Sequence, residues 1–210
     1  MLELYSYFRS SAAYRVRIAL AHKQLQWAQL PVNLLQSEQQ GAEYLELNPQ
    51  GLVPALQTDQ HLLTQSLAIL DYLDNTRGLK LLPGDPGDRA RAMALAHAIA
   101  VDIHPVCNLS VAAEADKMSG GRDGARQAWM QRFIRPGLIA FETLLAGFDQ
   151  APYCCGDTPG LADICLMPQL YNAHRWEVDI TDLPRCLTVE TSCAAHPAFA
   201  AAHPDQVKPA

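Results

Sequence analysis

A chain of 210 residues that is 49% hydrophobic and 18% charged has apolar content for one large domain or two small ones, and it does not read as disordered or fibrous. Its net charge of −6 lacks the basic stripe of a nucleic-acid binder or of a polybasic membrane surface, and no apolar run approaches the roughly 20 residues that cross a bilayer. No nucleic-acid partner and no membrane are therefore expected. The chain opens directly on strand-like alternation, Met1-Leu2-Glu3-Leu4-Tyr5-Ser6, without a basic n-region or an apolar h-region. No secretory signal is expected, and the cytoplasm is the expected compartment.

Leu2 to Tyr7 reads as a short strand. Ser10-Ser11 then precedes a run of helix formers from Ala12 to Leu20, with Val16, Ala19 and Leu20 on one face. Trp27 to Val32 is a second strand. A weaker helix, Gln39 to Leu47, stops at Asn48-Pro49, because proline disfavours helix in the residue before it. Val53 to Thr58 and His61 to Thr64 read as two strands joined by an Asp59-Gln60 turn. Ser66 is the expected N-cap of a helix from Leu67 to Asn75. The order β-α-β-α-β-β-α predicts an α/β layer on a mixed four-stranded sheet, since the tight turn forces one antiparallel pair.

Pro83 to Asp88 is the expected linker, and beyond it strand signals stop. An alanine-rich helix from Arg89 to about Ala115 is interrupted by Pro105. A long helix carries Ile134, Leu138, Phe141 and Leu145 on one face, with Pro136 inside it. A third helix follows Gly160, with Leu161, Ile164, Cys165 and Pro168 inward. The predicted organisation is thus an α/β domain (1–82), a linker (83–88) and an all-helical domain (89–210).

The six cysteines form no CxxC pair and read as small buried hydrophobes. Adjacent Cys154 and Cys155 could be redox-active, but neighbouring side chains in extended backbone point apart. The histidines lack metal-ligand spacing, so no metal is expected. His196-Pro197 and His203-Pro204 read as helix and tail punctuation.

Three pieces carry a family resemblance. The run Arg9-Ser10-Ser11-Ala12-Ala13-Tyr14-Arg15-Val16-Arg17-Ile18-Ala19-Leu20 resembles the signature of zeta-class glutathione transferases. Asn48-Pro49, Val53-Pro54 and Gln65-Ser66 resemble the glutathione-binding half of a thioredoxin-like fold. Gly156-Asp157 with Ala162-Asp163 resembles the buried helix-cap motif of the transferase helical domain. The resemblance continues through Val178-Asp179 and Pro184.

A strand that ends at Ser10-Ser11 and enters a helix presents a hydroxyl at a positive helix end, where a thiolate would be stabilised. Capping the helix is the alternative role for either serine. The turn holds no cysteine, which disfavours a disulfide oxidoreductase and calls for a thiol from elsewhere. The resemblance implies that glutathione supplies it and that Ser10 touches its sulfur, with Ser11 as second candidate. It further implies that Pro54 is a cis-proline that turns the Val53 backbone toward the cysteinyl part. Gln65 and Ser66 would hold the γ-glutamyl group at a helix start.

By the same resemblance the substrate is a small dicarboxylate, maleylacetoacetate, isomerised from cis to trans in tyrosine and phenylalanine breakdown. Two carboxylates favour arginine partners, and Arg9 and Arg175 match arginine positions of the isomerases. Each could instead be an ordinary surface or ion-pair arginine. His104 matches a residue that faces the glutathione or substrate cavity in bacterial relatives, or it is simply packed. A homodimer is implied as well. Ala12 stands where the family usually has cysteine, which leaves Ser10 and Ser11 in place. Gly160 replaces the usual Thr or Ser cap, unless Thr158-Pro159 starts that helix earlier. Leu109-Ser110 stand where some maleylpyruvate isomerases have paired arginines, which leaves maleylpyruvate as the second substrate. Small α-haloacids would be a side activity. A non-catalytic interaction module with the same fold is the rival from another class.

Overall fold

The computed structural model describes residues 1–148 and 152–208. The chain divides into two compact units, Met1–Lys80 with Ala195–Ala210, and Leu81–Ala194.

The first unit begins with β1 (Leu2–Ser6), α1 (Ser11–His22) and β2 (Trp27–Pro31). Two 3₁₀ turns lead to α2 (Ala42–Leu47), β3 (Ala55–Gln57), β4 (Leu62–Thr64) and α3 (Ser66–Thr76). The sheet order is β2-β1-β3-β4, with β1 and β2 parallel and the other two pairs antiparallel. This is the expected thioredoxin-like layer. The predicted hairpin strands are shorter than expected. Thr58 and His61 leave the ladder to close the turn, with the Thr58 amide donating to the His61 carbonyl at 2.7 Å and Thr58 Oγ1 accepting from the His61 amide at 2.8 Å.

Helix α1 is buried along its whole middle, from Ala13 to Leu20, and packs against α3. Its two arginines are therefore interior, and a buried cation must be met by acceptors. The Arg17 guanidinium donates to the carbonyls of Phe8 (2.9 Å) and Tyr7 (3.5 Å). Lys23, just past the helix end, is similarly enclosed: its ammonium donates to the carbonyls of Arg77 (2.7 Å) and Leu79 and lies 4.0 Å from the Asp74 carboxylate.

The second unit is helical. Helix α4 (Pro86–His97) continues into a π-helical segment, Ala98–Ile103. It is followed by α5 (Leu109–Met118), α6 (Ala125–Leu145), α7 (Leu161–Arg175) and α8 (Pro184–Ala195). The expected linker is shorter than read, because its last three residues form the first turn of α4. Asp85 is the cap, accepting from the amides of Gly87 and Asp88, and Pro86 occupies the first helical position, where no amide is needed. The expected face of Ile134, Leu138, Phe141 and Leu145 is fully buried. Gly137 lies against Ile103 so closely that a β-carbon there would sit 2.4 Å from Ile103 Cδ1.

Helix α7 starts at Leu161, not at Thr158-Pro159. The Asp163 carboxylate, fully buried, accepts from the amides of Cys154 and Gly160, both at 2.8 Å. Burial raises the Asp163 carboxyl, and those two amides pull against the rise. A β-carbon at Gly160 would come within 2.8 Å of the Leu81 carbonyl oxygen, which leaves no room for the serine or threonine of the resembling motif.

The chain then rejoins the first unit as α9 (Pro197–Ala202), whereas its last residues read as part of the helical domain. Helix α9 packs on α1, and its Ala202 carbonyl accepts from Arg17 Nε at 3.2 Å. His196 caps α9 through Nδ1, which accepts from the Ala198 amide at 3.2 Å. Among the described residues no helix is long and apolar enough to cross a membrane.

Candidate active site

The turn from β1 into α1 is held from behind. Arg17 grips the Tyr7 and Phe8 carbonyls, and the Ser10 amide donates to Tyr7 at 2.9 Å. Ser10 is the N-cap of α1, its Oγ accepting from the Ala13 amide at 3.2 Å. That bond uses a lone pair and leaves the hydroxyl hydrogen to donate outward. Ser11 and Ala12 open the helix with no carbonyl behind their amides, so partial positive charge concentrates here. Arg9 is exposed, its guanidinium 4.8 Å from the centre of the Phe8 ring.

The Val53–Pro54 peptide is cis. Its approach is bolted by Asn48, whose Nδ2 donates to the Leu52 carbonyl at 2.7 Å and whose Oδ1 accepts from the Gln50 amide at 3.1 Å. The Tyr44 hydroxyl adds a second donor to Leu52 at 2.8 Å; burial pushes that phenol up to about 12, so it stays protonated. Gly51 has φ +60° and would meet Gln40 Nε2 at 2.5 Å if it carried a β-carbon. Val53 shares a small apolar cluster with Val32 and Tyr44, against which Tyr5 and Tyr7 pack.

At the start of α3 the expected cap is displaced by one residue. Gln65, not Ser66, is the N-cap, at φ +66°, with no side-chain capping bond. A non-glycine residue is strained there, and such strain gathers at ligand-binding positions. Gln65 Nε2 donates to Gln50 Oε1 at 2.8 Å. Ser66 is the first helical residue, and its Oγ accepts from Arg15 Nη1 at 3.3 Å.

The expected first-unit residues are thus linked through one framework. Arg17 fixes the turn before Ser10, Arg15 ties α1 to Ser66, and Gln65 reaches through Gln50 and Asn48 to the segment before Val53. His104 and Arg175 belong to the second unit. Half-buried His104 follows the π-helical segment, its amide donating five residues back to Ile99 at 2.9 Å. π-Helical turns often mark functional positions. Arg175, exposed at the end of α7, lies over the rings of Trp176 (5.8 Å) and Tyr171 (6.0 Å).

Sequence reasoning missed the framework arginines, Arg15 and Arg17. Their burial was signalled only by the unbroken apolar context around them. It also missed a cavity of about 490 Å³ in the first unit, lined by Ser6, Tyr7, Phe8, Arg9 and, from the C-terminal segment, Lys208. Cys107, Cys154, Cys165, Cys186 and Cys193 are buried and Cys155 is half-buried. Burial pushes the Cys107 thiol up to about 11 and the Cys155 thiol to about 12, and Cys154 moves well above its ordinary value. These thiols stay protonated and are poor nucleophiles. Among the described residues no three His, Cys, Asp or Glu side chains are grouped to hold a metal ion.

Residues 1–75 match the family model for the glutathione S-transferase N-terminal domain. Maleylacetoacetate isomerase of Rhizobium meliloti (strain 1021) is 50% identical over 98% of this chain and 97% of its own. A holo structure of maleylpyruvate isomerase, a bacterial zeta-class glutathione S-transferase, superposes with TM-score 0.94 at 38% identity, covering 98% of both chains. Maleylacetoacetate isomerase from Methylobacterium extorquens AM1, solved with malonate and glutathione bound, gives TM-score 0.94 at 35% identity over 99% of this chain and 100% of that one. With half of its residues shared along nearly the full length of such a relative, the chain belongs to the zeta class of the glutathione transferases, among the maleylacetoacetate isomerases.

Proposed function

We propose that the protein is a glutathione-dependent isomerase that converts maleylacetoacetate to fumarylacetoacetate. The observation that carries this reading is Ser10, a hydroxyl free to donate at the N-terminus of a buried helix, held in register with Val53, Gln65 and Ser66. Half identity with the Rhizobium isomerase supports it and favours maleylacetoacetate over maleylpyruvate.

The residues present fit glutathione. The open amides of the first turn of α1, the strained backbone at Gln65 and the Ser66 hydroxyl, already polarised by Arg15, match an anionic peptide with a carboxylate at one end. When bound, glutathione supplies the thiolate whose reversible addition makes the cis double bond single long enough to rotate. Ser10, with Ser11 beside it, donates toward the sulfur and lowers the cost of its charge. Val53 offers backbone hydrogen bonds to the cysteinyl part. Gln65 and Ser66 hold the γ-glutamyl carboxylate. Arg9 and Arg175 bind the substrate carboxylates, and an arginine beside the carbonyl stabilises developing oxyanion charge. His104 lines the glutathione or substrate cavity. In this reading residues 1–82 carry the glutathione half and residues 89–210 contribute to substrate choice. A cytoplasmic homodimer acting in tyrosine and phenylalanine catabolism completes it.

The test is the rate of maleylacetoacetate isomerisation with and without glutathione, with maleylpyruvate in parallel. Turnover that requires glutathione and prefers the longer diacid is expected. Equal rates without glutathione would remove the mechanism, and preference for maleylpyruvate would replace the substrate.

A further inference from the structure

The cavity at the ends of β1 and β2 holds more than Arg9. Lys208 reaches it from the C-terminal segment, and among the described residues neither cation makes an ion pair. The Arg9 guanidinium lies 4.8 Å from the centre of the Phe8 ring. Among the described lining residues the one carboxylate is that of Glu38, whose Oε2 accepts from the Asn33 amide at 2.6 Å. Ser6, also on the wall and only 1% exposed, has an Oγ with no hydrogen-bond partner among the described residues. Phe8, Pro31, Val32 and Leu35 make other parts of the wall apolar, and charge–charge attraction is stronger beside such a surface than in open water. Two cations and apolar walls around about 490 Å³ describe a receptacle for an organic anion.

We propose that Lys208 is a specificity-determining residue, the second cation, with Arg9, of a carboxylate subsite in this cavity. It binds the carboxylate of the diacid remote from the double bond, which makes the C-terminal segment part of substrate selection. This rests on the reading that the substrate is a dicarboxylate. As a flexible point charge, Lys208 accepts carboxylates at more than one distance from Arg9. A cation that holds a carboxylate remote from the reacting bond contributes equally to ground-state and transition-state binding.

The experiment compares wild type with Lys208→Met and Lys208→Arg in two readouts: isomerase kinetics, and calorimetric binding, without glutathione so that no thiol can add, of fumarate as a diacid beside acetate as a monoacid. Lys208 is exposed, so folding is unaffected. Lys208→Met is expected to raise KM about tenfold with kcat unchanged, the loss of one charge-assisted contact. It should weaken fumarate by a similar factor, leave acetate and glutathione affinity alone, and be rescued by Lys208→Arg. An unchanged KM and fumarate affinity in a wild type that turns over overturns the subsite and leaves the isomerase standing. A wild type without turnover, whose fumarate binding still depends on Lys208, keeps the subsite and removes the isomerase. A lower kcat at constant KM also overturns the proposal, since it places Lys208 in the chemistry.

Discussion

Arg15 and Ser66 meet in the interior of the first unit, Nη1 donating to Oγ at 3.3 Å across 51 residues of sequence. The same hydroxyl opens α3, so the contact that braces two helices also polarises a group of the proposed γ-glutamyl site.

Ser66→Ala removes an acceptor from a buried guanidinium and a donor from the proposed γ-glutamyl site. The expected loss is about 1–2 kcal/mol of stability together with about tenfold in glutathione affinity. Thermal unfolding and calorimetry check both, and Ser66→Thr, which keeps the hydroxyl, is expected to recover most of each. If affinity stays constant while stability falls, Ser66 is only a brace.

Ser10 has two roles that substitutions can separate. Ser10→Ala removes the cap on Ala13 and should lose about 1 kcal/mol, whereas Ser10→Gly should lose only a few tenths. Both remove the hydroxyl, and both are expected to lower the glutathione-dependent rate about a hundredfold, as loss of a charge-stabilising donor does. A rate that tracks stability instead would reassign the residue to capping. Ser11→Ala, with the cap intact, measures the second candidate.

How much of this was legible beforehand depends on the physical range of each signal. Alternation in Leu2 to Ser6, the Asp59-Gln60 turn and the four-residue spacing of Ile134 and Leu138 are local, and the sheet and the helical half followed from them. Ser66 is expected as the cap because serine is the better cap by propensity, and no propensity anticipates a glutamine cap at φ +66°. The π-helical segment is hidden in an alanine-rich stretch, where only the hydrogen-bond register differs from α. The cis Val53–Pro54 peptide was implied by resemblance alone. Lys208 entered the cavity through tertiary packing of the C-terminal segment, on which periodicity is silent.

His22 gives the acid limb of stability a sign. Burial lowers its pKa from 6.5, helped by the facing His196 ring at 5.4 Å and by Lys23. Below about pH 6.5 the unfolded chain takes up a proton that the folded chain resists, so stability is present above that value and is lost as pH falls. His22→Gln is expected to flatten the decline in urea midpoint between about pH 7 and pH 5. An unaltered slope would mean that another group governs it.

Gly137→Ala tests the contact between α6 and the π-helical segment. In an open helix the change would stabilise by about 1 kcal/mol. Here the new methyl collides with Ile103, and destabilisation of about 1–3 kcal/mol is expected. Combined with Ile103→Ala it should cost less than the two single changes summed, measured by a double-mutant cycle in urea. Additive costs would show that the helix shifts instead.

Asp163→Asn leaves one oxygen for two amide donors, those of Cys154 and Gly160. A loss of about 1–3 kcal/mol is expected by chemical denaturation. A neutral result would mean that the carboxyl is already protonated and donates to another acceptor.

The return of α9 to α1 has a consequence for biosynthesis. Arg17 and Ala202 are 185 residues apart, and the whole second unit is made between them. On the ribosome, the turn that presents Ser10 therefore emerges early, while one acceptor for the guanidinium behind it emerges late. Contacts of such long separation are slow to close. The nascent α/β unit must wait, incompletely locked, while a second body folds in the middle of its own sequence, and chaperone occupancy should be highest in that interval.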